Sequence, residues 1–427
     1  MPIQQVLAEL GFQFEQAVPM AQGGGRSQGD GGELLAALPR TLATANAVDA
    51  VRALLKTAIR TGATDIHLEH VADMGRVRFR IDGLCVDVAR VPVERFIEVQ
   101  ARVKILADLD VTERRRPQDG HLRFQTGGRV YDMRLATVPT KTGEKFSLRI
   151  ATAGAVQLQL GQLGMDPADH ELVTEMAAKP FGMVLATGPV GSGKTTTLYS
   201  CLNAIDRTRF HVCSIEDPVE VEIEGVNQVE ANYFLGFDFV AGLRALLRQD
   251  PDVVLIGEVR DEETAKTAVR ASMTGRLVFS TLHANQSTGA ISTLRNFNIK
   301  SHQLASSLQG VIAQRLVRRT CDHCKEPYTL TDKDREMFKG LMPDGFESWA
   351  GRGCSHCHGT GYSGRLGVYE VFRVDDEVRG LIQENESERR IRQYAQSQGM
   401  VTLQQRGIEK ILRGETTVEE FRRVLNF

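Results

Sequence analysis

Residues 188–195 read GPVGSGKT and match every fixed position of the phosphate-binding pattern GxxxxGK[ST]. Glycines allow main-chain N–H groups to turn toward phosphate oxygens, Lys194 would reach the β- and γ-phosphates, and Thr195 would be a Mg²⁺ ligand. The spacing therefore predicts a nucleotide site. Its predicted binding residues are Gly188, Pro189, Val190, Gly191, Ser192, Gly193, Lys194, Thr195 and Thr196.

The flanking segments supply the context that this loop needs. Residues 182–187 are apolar enough for a buried parallel strand, and residues 195–202 can begin a helix. The alternative is a glycine-rich turn between strand and helix that binds no ligand. The agreement of strand, loop and helix favours the nucleotide site.

Polar side chains follow three further apolar strands. The predicted strands and the residues that follow them are 211–215 with Glu216, 253–257 with Glu258, and 277–282 with His283. Parallel sheets collect such groups at their carboxyl edge. Glu258 would orient or deprotonate the attacking water, Glu216 would hold Mg²⁺ or its water shell, and His283 would sense the γ-phosphate. For any one of these residues alone, a structural role would be the simpler interpretation. Their shared position after successive strands favours a catalytic role.

Four of the seven cysteines form two CxxC pairs, Cys321 with Cys324 and Cys354 with Cys357. Two such pairs present four thiolates to one tetrahedral ion, and four soft ligands favour Zn²⁺. Disulfides are the alternative, and a reducing compartment disfavours them. We therefore predict a zinc clip on an inserted arm.

Length and composition set the limits of the fold. The 427 residues exceed one hydrophobic core, and 42% hydrophobic with 25% charged residues is typical of a globular protein. The net charge of −2 argues against bulk nucleic-acid binding. No apolar run approaches the ~20 residues of a membrane span, and the start does not resemble a signal peptide. We therefore expect a cytosolic protein.

The periodicities predict two domains. Helical stripes at 47–59 and 93–106 alternate with strands at 65–69, 76–81, 120–124, 130–137 and 145–150, which indicates a smaller α+β domain before an α/β domain. After His283 we predict helices at 286–297 and 301–315, and helices again from Val371 to the end. The expected divisions are 1–40 as an appendage and glycine-rich linker, 41–152 as the α+β domain, 153–160 as a hinge, and 161–427 as the α/β domain with a zinc clip at 320–360.

Arg134 and Arg149 lie on predicted strands that flank residues 139–143, so both could face one side of a hairpin. Two interpretations stay open, solvated surface charge and a clamp on nucleotide phosphate, for which the guanidinium fork is well shaped.

Several segments carry a family resemblance. GPVGSGKTTTLYSCL, CSIEDPVE, GLRALLRQDPDVVLIGEVRDEETA and STLHAN resemble the Walker A, Asp-box, Walker B and His-box segments of the secretion ATPase superfamily, specifically of the GspE and PilB type. ATDIHLE, VRFRIDG, RRRPQDG and MRLATVPTKTGEKFSLRI resemble that family's second N-terminal domain. The likeness runs from about Thr41 to the end.

The resemblance implies a RecA-like P-loop ATPase domain after a PAS-like domain. It also implies a homo-hexamer that hydrolyses ATP to power pseudopilin or pilin assembly in type II secretion or type IV pilus biogenesis. Such a motor works at the cytoplasmic face of the inner membrane and associates with it through a platform protein. Arg134 and Arg149 would approach the nucleotide from the N-terminal domain, Arg244 and Arg248 would come from a neighbouring subunit, and Glu258 would be the catalytic glutamate.

The sequence departs from the family pattern at Val190, Arg276 and Gln286, and none of these changes removes a group that the chemistry requires. The residues before Thr41 are too few for the family's first N-terminal domain. A four-cysteine element is typical of assembly ATPases rather than retraction ATPases. The alternatives are a conjugation-type transport ATPase, which the zinc clip disfavours, and a nucleotide-binding switch with little turnover, which the presence of Glu258 disfavours.

Overall fold

The structure is a computed structural model that describes residues 30–150, 158–338, 342 and 346–425. It divides into two compact units, Met1–Ile150 and Ala151–Phe427. The predicted appendage before residue 30, and residues 153–157 of the predicted hinge, lie outside the described residues. Within the described part of the chain, no helix combines the length and the apolar character that crossing a membrane requires.

The first unit is an antiparallel sheet with helices. Its sheet has the order β3-β2-β1-β6-β5-β4. The helices are α1 (Asp30–Thr44), α2 (Ala47–Arg60) and α3 (Val93–Leu106), and the strands are β1 (Ala63–Val71), β2 (Met74–Ile81), β3 (Leu84–Pro92), β4 (Gln118–Thr126), β5 (Arg129–Thr140) and β6 (Gly143–Ile150). Phe79, Phe96 and Phe146 are fully buried where the sheet and helices meet.

Two elements of this unit differ from the prediction. Helix α1 begins within the expected linker, and its Leu38 and Leu42 are buried in the unit's core. The boundary expected at residue 40 therefore falls inside a packed helix, because the apolar spacing of α1 outweighs the glycines at its start. Strand β3 was not predicted, and it pairs along β2 through the turn at Asp82 and Gly83.

The second unit is built on a seven-stranded sheet with the order β15-β12-β7-β11-β10-β8-β9. The strands are β7 (Gly182–Thr187), β8 (Val212–Glu216), β9 (Val226–Glu230), β10 (Val253–Ile256), β11 (Leu277–Leu282), β12 (Leu308–Thr320) and β15 (Tyr362–Arg373), while β13 (Lys325–Tyr328) and β14 (Ser348–Gly351) form a separate pair. The neighbouring strands β12, β7, β11, β10, β8 and β9 pair in parallel, and β15 pairs antiparallel with β12 at the sheet edge. The predicted α/β fold class is thus confirmed.

Helices cover both faces of this sheet. Met183 and Leu185 of β7 pack into one core cluster, and Val184 and Ala186 pack into another. The helices are α4 (Pro167–Ala177), α5 (Lys194–Asn203), α6 (Phe239–Leu246), α7 (Glu262–Met273), α8 (Gly289–Asn296), α9 (Ser301–Ser307), α10 (Asp332–Met337), α11 (Asp376–Gln383), α12 (Glu388–Ser397), α13 (Leu403–Leu412) and α14 (Val418–Leu425).

The helix predicted at 301–315 is wrong in its second half. Helix α9 ends at Ser307, and the next residues form β12, which lies between β7 and β15. The apolar residues after Ser307 fit a helical stripe, but a sheet that buries both of its faces also accepts them, and tertiary packing decides. Likewise, β15 continues to Arg373, two residues beyond the predicted start of the C-terminal helices.

Candidate nucleotide site and cysteine cluster

The predicted phosphate-binding loop connects β7 directly to α5. Gly193 is the residue before the helix and has φ +87°, and Gly188 has φ +148°. A Cβ on Gly188 would lie 2.5 Å from the carbonyl oxygen of Gln314 and 2.6 Å from Ser192 Oγ. Glycine is therefore required at Gly188 by both backbone conformation and space. The loop opens onto the N-terminus of α5, where free main-chain N–H groups favour an anion.

Lys194 lies across this loop. Its Nζ donates hydrogen bonds to the carbonyl oxygens of Gly188, at 2.9 Å, and Pro189, at 3.0 Å. Burial lowers the pKa of Lys194, and the negative charge of Glu258 partly opposes that shift. Thr195 is exposed at the first turn of α5, where its hydroxyl is accessible to a metal ion. The two residues thus present a cation and an oxygen ligand at the same helix end.

The structure brings Glu258 and His283 together. Glu258 follows β10, His283 follows β11, and His283 Nε2 lies 3.6 Å from Glu258 Oε2. The other oxygen of Glu258 forms a close ion pair with Arg260, and Arg260 Nη1 lies 3.5 Å from Asp217 Oδ2. Glu258 is therefore one member of a charged network at the carboxyl edge of the sheet.

Glu216 ends β8 but its carboxylate is buried and already has partners. It accepts hydrogen bonds from Tyr199 Oη at short distance, from Ser214 Oγ at 2.6 Å and from Gln228 Nε2 at 3.2 Å. Burial, together with the charge of Glu216, raises the pKa of Tyr199, so the phenol stays a donor. A role of Glu216 toward Mg²⁺ would require the carboxylate to exchange one of these partners.

The predicted arginines lie in two places. In the second unit, Arg244 Nη2 pairs with Glu263 Oε1 at 2.7 Å, and Arg248 is exposed in the turn after α6. In the first unit, Arg134 and Arg149 are cross-strand neighbours on β5 and β6. Arg149 Nε lies 3.3 Å from Asp65 Oδ1. The predicted placement of both on one hairpin is therefore observed.

The sequence predicted no role for Arg260, Asp217 or Tyr199. Arg260 had a local signal, because a cation two residues after the predicted catalytic carboxylate can fold back on it. Asp217 directly follows Glu216 and carried the same kind of signal. Tyr199 had none, since its contact with Glu216 depends on how α5 packs on β8.

The four paired cysteines converge as predicted. Their sulfur atoms all lie within 4.8 Å of one another, with Cys321–Cys354 at 3.9 Å, Cys324–Cys357 at 3.8 Å and Cys354–Cys357 at 3.7 Å. Four thiolates at the usual Zn–S distance would be separated by about 3.8 Å around a tetrahedral ion. A disulfide requires about 2.0 Å. The donor set therefore fits one zinc ion, and β13 and β14 join its two halves.

Comparisons with known proteins add a family context. Residues 42–423 match the family described as Type II/IV secretion system protein. Type II secretion system protein E of Pseudomonas aeruginosa is 45% identical over 376 residues, which cover 88% of this chain and 74% of that protein. Type II secretion system ATPase E of Vibrio cholerae is 40% identical over 374 residues, with the same coverage of 88% and 74%.

Solved structures are similar as well. The pilus retraction motor PilT, crystallised with bound ADP, is 26% identical with a TM-score of 0.55, and the match covers 86% of this chain and 95% of PilT. The ATPase DotB of Legionella pneumophila has a TM-score of 0.64 at 18% identity, with coverage of 87% and 94%. The second likeness concerns the fold alone.

Proposed function

Since the chain belongs to the Type II/IV secretion system protein family, we propose that it hydrolyses ATP and that this hydrolysis drives a type II secretion machine. Family membership confirms the resemblance that the motifs predicted. Relatives at 45% and 40% identity are named as type II secretion proteins, and one of them as an ATPase. These names favour type II secretion over type IV pilus assembly, and turnover over a nucleotide-binding switch.

The observation that carries the proposal is the position of Glu258 near the phosphate-binding loop. Strands β7 and β10 are both parallel neighbours of β11, so the loop after β7 and Glu258 after β10 lie at the same carboxyl edge of the sheet. A triphosphate held by Lys194 and the start of α5 would direct its γ-phosphate toward the carboxyl edge of the sheet. Glu258 would there orient the attacking water.

The side chains that contact Glu258 would then determine whether its carboxylate is free to orient the water. Arg260 shares its charge between Glu258 and Asp217, and His283 lies beside the second oxygen of Glu258. When bound, Mg²⁺ would neutralise charge on the β- and γ-oxygens, with Thr195 as a ligand and Glu216 toward its water shell. We assign to His283 the contact that reports the γ-phosphate.

Assembly is a further part of the proposal. Arg244 and Arg248 would supply cations to the nucleotide of a neighbouring subunit in a homo-hexamer, and Arg134 and Arg149 would approach the nucleotide from the first unit. To contact that phosphate, Arg244 would have to leave its ion pair with Glu263. The ring would work at the cytoplasmic face of the inner membrane against a platform protein, and the cysteine cluster would hold Zn²⁺.

The test is phosphate release from ATP in the presence of Mg²⁺. The unmodified chain should turn over ATP, and Lys194→Ala should lose both turnover and nucleotide affinity, because the phosphates lose their nearest cation. Lys266→Ala is the matched control, since Lys266 is an exposed lysine that pairs with Glu262 on α7. Equal ATP affinity of Lys194→Ala and the unmodified chain by calorimetry would contradict the proposal.

A further inference from the structure

Strand β12 extends past the end of β7. The two strands are parallel, and the last pair in their register joins Ala313 to Thr187, where β7 ends. The next two residues of β12, Gln314 and Arg315, therefore lie beside the phosphate-binding loop. Both are buried, at 1% and 8% exposure. Burying an amide and a guanidinium costs free energy unless their polar groups are hydrogen-bonded, so the partners of these two side chains need to be identified.

Gln314 holds the loop from behind. Its Nε2 donates a 2.6 Å hydrogen bond to the carbonyl oxygen of Ser192. A Cβ on Gly193 would come within 3.1 Å of this same nitrogen, and a Cβ on Gly188 would meet the carbonyl oxygen of Gln314. The two glycines that shape the loop are therefore packed against one residue of β12.

Arg315 connects β12 to the segment that follows β11. Its Nη1 donates to the carbonyl oxygen of Gln314 at 3.0 Å, and its Nη2 donates to that of Asn285 at 2.8 Å. Among the ion pairs of the described residues, none includes Arg315, and burial lowers its pKa. Its hydrogen bonds go to main-chain carbonyls on two segments, and Asn285 lies two residues after His283.

The far end of the same segment is also fixed. Ser287 donates to the buried carboxylate of Glu370 through its main-chain N–H at 3.0 Å and its hydroxyl at 2.6 Å. Arg392 of α12 pairs with both oxygens of Glu370, at 2.9 and 2.8 Å. Residues 283–287 are thus held at two points, and the first of them is Arg315.

We infer that Gln314 and Arg315 are positioning residues that couple the phosphate-binding loop to residues 283–287. A shift of the Ser192 carbonyl would move Gln314, and the adjacent Arg315 would carry that shift to Asn285 and so to His283 beside Glu258. The role assigned to His283 rests on the proposed function, but the mechanical coupling does not. Neither residue touches the reacting atoms in this arrangement, so their effect would be on geometry.

Hydrogen exchange without nucleotide tests the coupling directly. Arg315→Lys keeps the charge but loses the fork between the two carbonyls, and Gln314→Met keeps the volume but loses the donor to Ser192. Each should speed exchange in peptides covering both 188–197 and 283–288, by about two- to tenfold for one net hydrogen bond. Arg295→Lys is the matched control, because Arg295 also donates to two main-chain carbonyls, those of Ile382 and Glu386. It should leave both peptides unchanged.

The pattern of the effect decides the outcome. Faster exchange of 188–197 only in Gln314→Met and of 283–288 only in Arg315→Lys would overturn the coupling, as would no change in either. If Arg315→Lys does not fold, the spread of the Gln314→Met effect to 283–288 decides alone. In turnover assays, both variants should lower kcat with little change in KM. Coupled exchange in a chain that hydrolyses no ATP would contradict the proposed function and leave this inference standing.

Discussion

The phosphate-binding loop and the cysteine cluster lie in the same unit but are supported in opposite ways. The nucleotide site collects groups from the ends of β7, β8, β10 and β11, and these strands are buried along their whole length. The cysteine cluster consists of two local CxxC turns joined by a short strand pair, of which β13 is largely exposed. The nucleotide site, which is supported by the buried sheet, should keep its shape when one side chain is lost. The cysteine cluster has little core around it and should depend on its metal ion for its shape.

Zinc loss should have the largest structural effect. Cys321→Ser should reduce the bound zinc from about one ion per chain to nearly none, because structural zinc sites take part in folding. Hydrogen exchange should also become faster in α13 and α14, since Leu330 and Phe338 pack against Ile411 and Phe421. Elemental analysis and hydrogen exchange measure the two effects.

The control for this change is Cys85→Ser, because Cys85 belongs to the first unit and is not one of the four clustered cysteines. It should keep the full zinc content. Two disulfides detected by mass spectrometry in zinc-free protein would contradict the claim that the four cysteines form a zinc site.

An intermediate effect is expected from the two arginines that we propose to act on the nucleotide of a neighbouring subunit. Chains with Arg244→Ala and Arg248→Ala, mixed in increasing fraction with unmodified chains, should lower ATP turnover non-linearly, because each mutant subunit would also impair its neighbour's site. Turnover is measured against the mutant fraction, with light scattering to follow assembly. A strictly proportional decline, with full specific activity in monomers, would mean that one chain holds the complete site.

The smallest effect should come from Val190→Thr. Val190 is 85% exposed in the loop, so we expect its main chain, and not its side chain, to matter for phosphate. Turnover and KM should stay close to those of the unmodified chain, because main-chain N–H groups, which this substitution leaves in place, would contact the phosphates. A larger change in KM would show that the loop's exposed side chains take part in binding.

The sequence predicted the scaffolded region best where packing left little choice. The bounds predicted for β7 and β11 are those observed, because strands buried on both faces read as continuous apolar runs between turn signals. The four cysteines were predicted from spacing alone, and they converge in the structure. Local chemistry was sufficient for both.

Long-range packing limited the rest. The apolar spacing after Ser307 suits a helix as well as a buried strand, and only the place of β12 between β7 and β15 decides between them. One partner of Glu216 is Tyr199, on a helix whose rotation the sequence does not specify. Gln314 and Arg315 were the last two residues of the helix predicted at 301–315, so their position beside the loop could not be foreseen.

Glu258→Gln tests the central claim, that the edge of the sheet is a hydrolysis site with Glu258 orienting water. The variant should bind ATP with nearly unchanged affinity while turnover falls by about 10²–10⁴-fold, as is typical of losing a general base. Glu262→Gln, which changes a carboxylate on α7 whose side chain is 44% exposed, is the matched control and should retain turnover. Near-normal turnover of Glu258→Gln would remove Glu258 from this role and contradict the account.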